Sequence, residues 1–137
     1  MTSTFVDSNV LIDILGAAGT HRSWAVRRMT EQREKGRLVV NQIVFSELAA
    51  MLPLDKLSAT LSAMQIEREP LLFEASWHAG IAHAYYRKSG GLRERTLPDF
   101  LIGAQASHYG HELLTRDPKR YRSYFPDLQI IGPDTHP

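Results

Sequence analysis

Residues 4–15 read TFVDSNVLIDIL, and this stretch decides the fold class. Its first three residues are β-branched or aromatic and predict a short strand that ends at the polar cluster Asp7-Ser8-Asn9. The apolar residues that follow recur with helical spacing, so a helix is predicted to start at this cluster. A strand, an acidic turn and a helix in that order are typical of an alternating α/β chain.

The same alternation continues to the carboxyl end of the chain. Further strands are predicted at residues 38–40, 65–69, 113–115 and 129–131, and helices at 21–36, 42–52, 54–63, 71–88 and 98–109, with a helical turn around 121–125. Parallel strands need crossover connections, which the helices supply. We therefore expect an α/β fold: a three-layer α/β/α sandwich with a mostly parallel sheet of four to five strands. One domain is expected over residues 1–132, with a frayed tail at 133–137.

The composition is that of an ordinary soluble domain. Of the 137 residues, 43% are hydrophobic and 23% are charged, the net charge is +1, and there is no cysteine. The lack of cysteine excludes zinc fingers, iron–sulfur clusters, thiol nucleophiles and disulfide frameworks, and it favours a reducing cytoplasm. The sequence has no long apolar segment and no basic leader, so we expect neither secretion nor contact with a membrane.

Four carboxylates are predicted to meet at one edge of the sheet. Asp7 follows the first strand, Glu47 lies in the second turn of the helix after the second strand, and Asp117 follows the fourth strand. Asp99 begins the helix that leads into the fourth strand, so the amino end of that helix returns to the same edge. The four acids can therefore converge if the first, second and fourth strands are neighbours.

Four clustered carboxylates require a counter-ion, because like charges a few ångströms apart raise one another's pKa. Oxygen ligands without histidine or cysteine select Mg²⁺ or Mn²⁺. Water on such an ion has a lowered pKa and can attack a phosphodiester, with a second ion in two-metal variants. Each acid alone also has a structural explanation, as a helix cap, a helix-end charge, a surface group or a turn. Their common placement is what favours a metal-dependent hydrolase.

The aromatic residues and the histidines carry weaker signals. Four aromatic residues at helical spacing are expected in the core, with stacking on nucleic-acid bases as the alternative: Trp24, Trp77, Tyr85 and Tyr86. The histidine pairs lack the four-residue spacing of a helical zinc pair, so we interpret the histidines as surface or core residues.

Four segments resemble, in order, the acidic motifs of the PIN domain. They are FVDSNVL at 5–11, FSEL at 45–48, LPDFLIGA at 97–104 and LTRD at 114–117. The resemblance spans nearly the whole chain, and it is closest to the VapC toxins of bacterial VapBC toxin–antitoxin pairs, which are small Mg²⁺-dependent ribonucleases. The run TRDPKRY at 115–121 strengthens it.

The resemblance implies a function for the acidic edge. It implies that four acids are catalytic and form the metal site: Asp7, Glu47, Asp99 and Asp117. The hydroxyl groups of Ser8 and Thr115 occupy positions where such proteins often have a hydroxyl near that site. It also implies a Mg²⁺-dependent endoribonuclease, with Mn²⁺ as a possible substitute, that forms a homodimer and is inhibited by a cognate antitoxin whose tail enters the acidic groove.

The basic residues supply a candidate surface for the RNA. Eight of the 16 lie between residues 87 and 122, and this stretch is either a solvated surface or a contact for a polyanion. Those that bracket Asp99 and Asp117 in the sequence are expected to hold the RNA backbone: Arg93, Arg95, Lys119 and Arg120. The alternative is a catalytically inactive PIN-like module for RNA binding or assembly. The presence of all four acids favours catalysis, while the choice between RNA and single-stranded DNA stays open.

Overall fold

The computed structural model describes residues 2–91 and 95–137, which form one parallel sheet covered by helices. The strands are β1 (Thr2–Val6), β2 (Gly36–Val40), β3 (Ile66–Arg68), β4 (Glu112–Leu114) and β5 (Ile130–Ile131). They follow the order β3-β2-β1-β4-β5, and each neighbouring pair is parallel. The predicted parallel sheet is confirmed, and the first, second and fourth strands are neighbours.

Helices cover both faces of the sheet. They are α1 (Ser8–Leu15), α2 (Arg22–Lys35), α3 (Gln42–Glu47), α4 (Leu54–Ala63), α5 (Phe73–Lys88) and α6 (Leu97–Tyr109), followed by a 3₁₀ turn (Pro118–Arg120). On one face, Gln32 of α2 donates to the hydroxyl of Thr4 in β1 at 2.8 Å. On the other face, Gln105 of α6 donates to the carboxylate of Glu69 at 2.9 Å. Within the two ranges described, no helix is long and apolar enough to cross a membrane.

One predicted helix ends earlier in the structure than expected. The helix after Asn41 was expected to reach residue 52, but α3 ends at Glu47. The chain continues in tighter turns, in which the backbone N–H of Met51 bonds to the carbonyl of Leu48. The helical turn expected around 121–125 is present, since the backbone N–H of Phe125 bonds to the carbonyl of Tyr121 at 2.9 Å. The 3₁₀ turn at 118–120 precedes it, because Pro118 has the fixed φ that suits the start of a turn.

The carboxyl-terminal tail is held against α2. The indole N–H of Trp24 donates to the backbone carbonyl of His136 at 2.6 Å, and Arg28 donates to that of Pro137 at the same distance. The frayed tail expected at residues 133–137 is therefore wrong, because two α2 side chains fix its backbone.

A second, smaller apolar cluster joins α5 to α6. It contains the buried residues Ala79, Tyr86, Phe100 and Ala104 and is separate from the main core around the sheet. This cluster fixes α5 to the helix that carries Asp99, outside the sheet layer. The inner face of α5 is built largely of small residues, and Ala75 and Ala79 are fully buried. The expectation of a core position is confirmed for Trp24 and Tyr86 but wrong for Trp77 and Tyr85, which are 63% and 66% exposed on the outer face of α5.

Candidate active site

The structure brings the predicted acids to the carboxyl edge of the sheet. Asp7 directly follows β1 and caps α1, Glu47 is the last residue of α3, Asp99 lies in the first turn of α6, and Asp117 precedes the 3₁₀ turn. The backbone N–H of Asp7 bonds to the carbonyl of Leu114 at 2.9 Å, which extends the pairing of β1 with β4 to this residue.

The carboxylate of Asp7 is the most enclosed of these groups, since the residue is 3% exposed. Its Oδ2 accepts hydrogen bonds from the hydroxyls of Thr115 and Tyr121, each at 2.8 Å, and from the amide of Asn9 at 3.4 Å. Its Oδ1 accepts the backbone N–H of Ser8 at 2.7 Å. Asp7 is therefore fixed in position by groups from three segments of the chain.

The electrostatics identify a cluster of mutually repelling charges. Burial raises the pKa of Asp7 and the charge of Asp99 adds to the rise, although the hydrogen bonds to Asp7 oppose it. Partial burial also raises the pKa of Glu47, and the charges of Asp7 and Asp99 act in the same direction. The hydroxyl of Ser8, which donates to Oε1 of Glu47 at 3.2 Å, opposes that rise. The three acids are thus electrostatically coupled.

Arg120 provides the positive charge at this cluster. Its Nε lies 2.8 Å from Oδ2 of Asp117, and its Nη1 lies 3.6 Å from Oδ1 of Asp99. Burial lowers the pKa of Arg120, but the charges of Asp99 and Asp117 outweigh this effect and raise it. In this structure the guanidinium pairs with acids rather than pointing freely towards solvent as a backbone contact for RNA.

The two carboxylate oxygens of Asp99 make different contacts. Oδ2 accepts the backbone N–H of Thr96 at 3.1 Å and its hydroxyl at 3.3 Å, which closes a capping box at the start of α6. Oδ1 faces Arg120. The helix-end role that the sequence left open for Asp99 is therefore present, together with a place beside the other acids.

The other predicted cations are in different situations. Arg93 lies outside the described residues. Arg95 donates to the backbone carbonyl of Lys119 at 2.9 Å, and its guanidinium lies over the rings of Tyr86 and Tyr124, at 5.7 and 5.9 Å from their centroids. Lys119 itself is exposed. Arg95 thus packs against aromatic rings, and Lys119 is available at the surface.

Sequence reasoning missed two residues that contact the site. Asn9 donates to the hydroxyl of Thr115 at 3.2 Å and accepts the backbone N–H of Arg116 at 3.1 Å, so it ties the loop after β4 to α1. Its position in the polar cluster after β1 was a usable signal. Tyr121 reaches Asp7 from 114 positions along the chain, and no local pattern announces that contact.

The donor chemistry of the site suits a hard divalent cation. The groups at this edge are carboxylate oxygens, which such an ion prefers. Burial is the main cause of the raised pKa values of Asp7 and Glu47, and neighbouring acids add to the rise, so a cation would relieve that repulsion. In the part of the chain that the structure describes, however, no three acidic or histidine side chains are close enough together to hold an ion. We infer that the carboxylates would have to approach one another for metal binding, and that Arg120 would have to leave them.

The parallel sheet, the helices on both of its faces and the acids at its carboxyl edge are the arrangement that the four sequence segments predicted. The family model of the PIN domain matches residues 4–125. The chain therefore belongs to the PIN domain family, as the four sequence segments indicated. No curated protein matches the sequence.

Solved structures with the same fold come from bacterial toxin–antitoxin systems. VapBC2 of Rickettsia felis, bound to a DNA fragment from its promoter, has a TM-score of 0.73 at 14% identity, over 96% of this chain and 98% of that one. VapBC-1 of nontypeable Haemophilus influenzae has a TM-score of 0.72 at 16% identity, with the same shares covered. VapC20 of Mycobacterium tuberculosis, a toxin that cleaves the sarcin–ricin loop, has a TM-score of 0.61 at 15% identity, over 80% of this chain and 85% of that one.

Replacement of Tyr121 by Phe tests whether its hydroxyl holds Asp7. The change removes a buried hydrogen bond to a carboxylate, so we expect the free energy of unfolding to fall by about 1 to 3 kcal/mol in a denaturant titration. Tyr124→Phe is the matched control, because the Tyr124 ring packs against Tyr86 and Phe100 and is kept. An equal loss in both variants would mean that Asp7 does not depend on the Tyr121 hydroxyl.

Proposed function

We propose that this chain is a Mg²⁺- or Mn²⁺-dependent endoribonuclease that acts in the cytoplasm as the toxin of a toxin–antitoxin pair. The observation that carries the proposal is the placement of four carboxylates at one sheet edge: Asp7, Glu47, Asp99 and Asp117. Membership of the PIN domain family supports it, and so does the fold shared with a toxin that cleaves the sarcin–ricin loop.

The residues divide into a fixed part and an adaptable part. A bound divalent ion would supply a water of lowered pKa and stabilise the leaving oxygen of a phosphodiester. Asp7, held by its hydrogen bonds, would provide the fixed oxygen ligand, and Asp99 and Asp117 would complete the ligand set. The raised pKa of Glu47 makes its carboxylate a stronger base, so Glu47 can take up a proton at Oε1 or Oε2.

Two cations would hold the RNA backbone beside the acids. Lys119 is exposed on the 3₁₀ turn between Asp117 and Arg120 and can meet a phosphate as it stands. The side chain of Arg120 is 46% exposed, so it can exchange its carboxylate partners for a phosphate oxygen. Arg95 would act indirectly, because it supports the Lys119 backbone.

Cleavage of RNA is tested with metal-stripped protein. We expect cleavage of an RNA pool when Mg²⁺ or Mn²⁺ is added and none with EDTA, because the carboxylates need the ion. Asp7→Asn should abolish cleavage, whereas Asp127→Asn, at an exposed position outside the acidic edge, should leave it unchanged.

Three outcomes are informative beyond simple success. Metal-independent cleavage, or full activity of Asp7→Asn, would contradict the proposal. Binding of RNA without cleavage under all conditions would support the alternative of an inactive RNA-binding module. A parallel assay on single-stranded DNA decides between the two polymers.

If Arg120 exchanges the carboxylates for an RNA phosphate, its replacement should raise the affinity for Mg²⁺ and lower the affinity for RNA. Arg120→Gln removes a positive charge that competes for the same oxygens, so we expect Mg²⁺ affinity in calorimetry to rise by up to about tenfold. RNA affinity should fall and depend less on salt, because one phosphate contact is lost. Arg122→Gln is the matched control, since Arg122 is equally exposed and pairs with Asp134 at 2.8 Å. Unchanged affinity for both ligands would contradict this role.

We further propose that a cognate antitoxin inhibits the enzyme with a basic side chain on the acidic edge. Arg120 already pairs with two of the carboxylates, and an arginine from a partner could replace it there with charge-assisted hydrogen bonds. The product of a neighbouring gene should bind the chain and suppress cleavage, and Asp117→Asn should weaken that binding in a pull-down titration. A neighbouring product that binds equally well to Asp117→Asn would place its contact elsewhere.

A further inference from the structure

A row of polar side chains lies under α6, on the face of the sheet that this helix covers. Hydrogen bonds join its members in the order Asn41, Gln105, Glu69, His111 and Ser3. Asn41 and Gln105 are 2% and 0% exposed, and His111 is buried as well. Polar groups are costly to bury unless each has a partner, so packing alone does not explain this row. We call its first three members, from Asn41 to Glu69, the polar relay.

The row connects the elements that carry the four acids. Ser3 lies in β1, and His111 directly precedes β4. Gln105 lies in α6, and Asn41 caps α3. Each of these elements contains one of the acids or leads directly to one, so the row links the separate parts of the acidic edge.

Gln105 is the central member of the relay. Its Nε2 donates to Oε1 of Glu69 at 2.9 Å and lies 3.3 and 3.4 Å from the backbone carbonyls of Glu69 and Pro70. Its Oε1 accepts a hydrogen bond from Nδ2 of Asn41 at 2.8 Å. The residues on either side of it in α6, Ala104 and Ala106, are apolar and buried. Hydrophobicity alone would favour an apolar side chain at position 105 too.

The carboxylate of Glu69 sets the direction of the hydrogen bonds in the relay. An ionised carboxylate only accepts, so it binds the NH₂ group of Gln105 and leaves the amide oxygen of Gln105 for Asn41. That oxygen binds the NH₂ group of Asn41 and leaves Oδ1 of Asn41 for α3. Oδ1 accepts the backbone N–H groups of Ile43 and Val44 at 3.0 and 3.2 Å. Glu69 therefore orients the cap of α3 through two amide side chains.

Glu69 is itself held from several sides. Its backbone N–H bonds to the carbonyl of Val40 at 2.7 Å, beside the end of β2. Its two carboxylate oxygens lie 2.9 and 3.1 Å from Nε2 of His111, whose Nδ1 lies 2.5 Å from the hydroxyl of Ser3. The guanidinium of Arg37 is 3.9 Å from its Oε2. The relay thus begins at an acceptor that the sheet holds in place.

The helix at the other end of the relay depends strongly on its cap. α3 has only six residues, and a helix this short has few hydrogen bonds of its own. Asn41 satisfies two of the N–H groups at its start. Glu47 is the last residue of α3, so a change in the direction of this helix moves the Glu47 carboxylate relative to Asp7. A displacement of about 1 Å can lower a catalytic rate on the order of a hundredfold.

We propose that Asn41 and Gln105 are positioning residues, which orient the cap of α3 from Glu69 and thereby hold Glu47 in place at the acidic edge. They act through Glu47 and not on the substrate. The expected effect on cleavage rests on the proposed nuclease function. The effect on α3 is independent of that function and is measured separately.

Replacement of Gln105 by Leu removes the relay and keeps a side chain of similar size. We expect kcat for RNA cleavage to fall by about tenfold to a hundredfold, with KM changed by less than about threefold, because the contacts with RNA remain. Gln32→Leu is the matched control, since Gln32 is also buried and donates to Thr4 at 2.8 Å on the opposite face of the sheet. The control should lose stability and keep kcat. Equal kcat in the two variants would overturn the positioning role.

An exchange of two side chains tests the direction of the hydrogen bonds. Gln105→Glu sets two carboxylates against each other and should lower kcat at least as much as Gln105→Leu. Addition of Glu69→Gln supplies an NH₂ group to the new carboxylate at position 105, which still accepts from Asn41. The double variant should therefore recover most of the lost kcat. A double variant as slow as Gln105→Glu would overturn the relay.

Hydrogen exchange reports on α3 without any assay of cleavage. The backbone N–H groups of Ile43 and Val44 should exchange about fivefold faster in Gln105→Leu and in Gln105→Glu than in the wild type, because their cap is no longer oriented. Their exchange should be unchanged in Gln32→Leu and slow again in the double variant. A wild type that does not cleave RNA would contradict the proposed nuclease function. The two exchange rates would then decide the relay alone: faster exchange supports it, and unchanged exchange overturns it.

Discussion

The structure of the acidic edge depends on the burial of one carboxylate, that of Asp7. A buried charge is costly unless hydrogen bonds compensate it, and here the donors come from the residues after β1, from the end of β4 and from beyond the 3₁₀ turn. These donors cannot reach Asp7 unless β1 and β4 are neighbours and the chain turns at Pro118. The requirement to satisfy one carboxylate therefore fixes the relation of three segments that carry the rest of the site.

The remaining acids are arranged differently because they are more accessible. The side chain of Asp117 is 40% exposed and that of Arg120 46%, so water weakens their interaction and permits exchange of partners. Asp99 is nearly buried, but one of its oxygens already caps α6. A site with one fixed carboxylate and adaptable neighbours can balance its negative charge in more than one way. In this structure the positive charge of Arg120 offsets the negative charge of Asp99 and Asp117. A metal ion or an arginine of a partner would offset it in the same way.

The sequence predicts the parts of this molecule that depend on local patterns. Each strand, each helix cap and each acid after a strand is indicated by a pattern of only a few neighbouring residues. The parallel sheet and its acidic edge could therefore be predicted. The contact of Tyr121 with Asp7 and the pairing of Arg120 with Asp99 could not, because they join segments that only the complete fold brings together. The early end of α3 was missed for a related reason: apolar spacing does not distinguish a helix from the tighter turns before Pro53.

The orientation of α5 shows most clearly what periodicity leaves undetermined. Its sequence contains two apolar rows, one of small residues that includes Ala75 and Ala79 and one of large residues that includes Trp77 and Ile81. Burial of the larger row would remove more apolar surface from water, so hydrophobicity alone favours the wrong face. The row of small residues is the buried one because α6 lies close to α5, and Phe100 of α6 fills the space between the two helices. The large row is thereby left exposed on the outer face of α5.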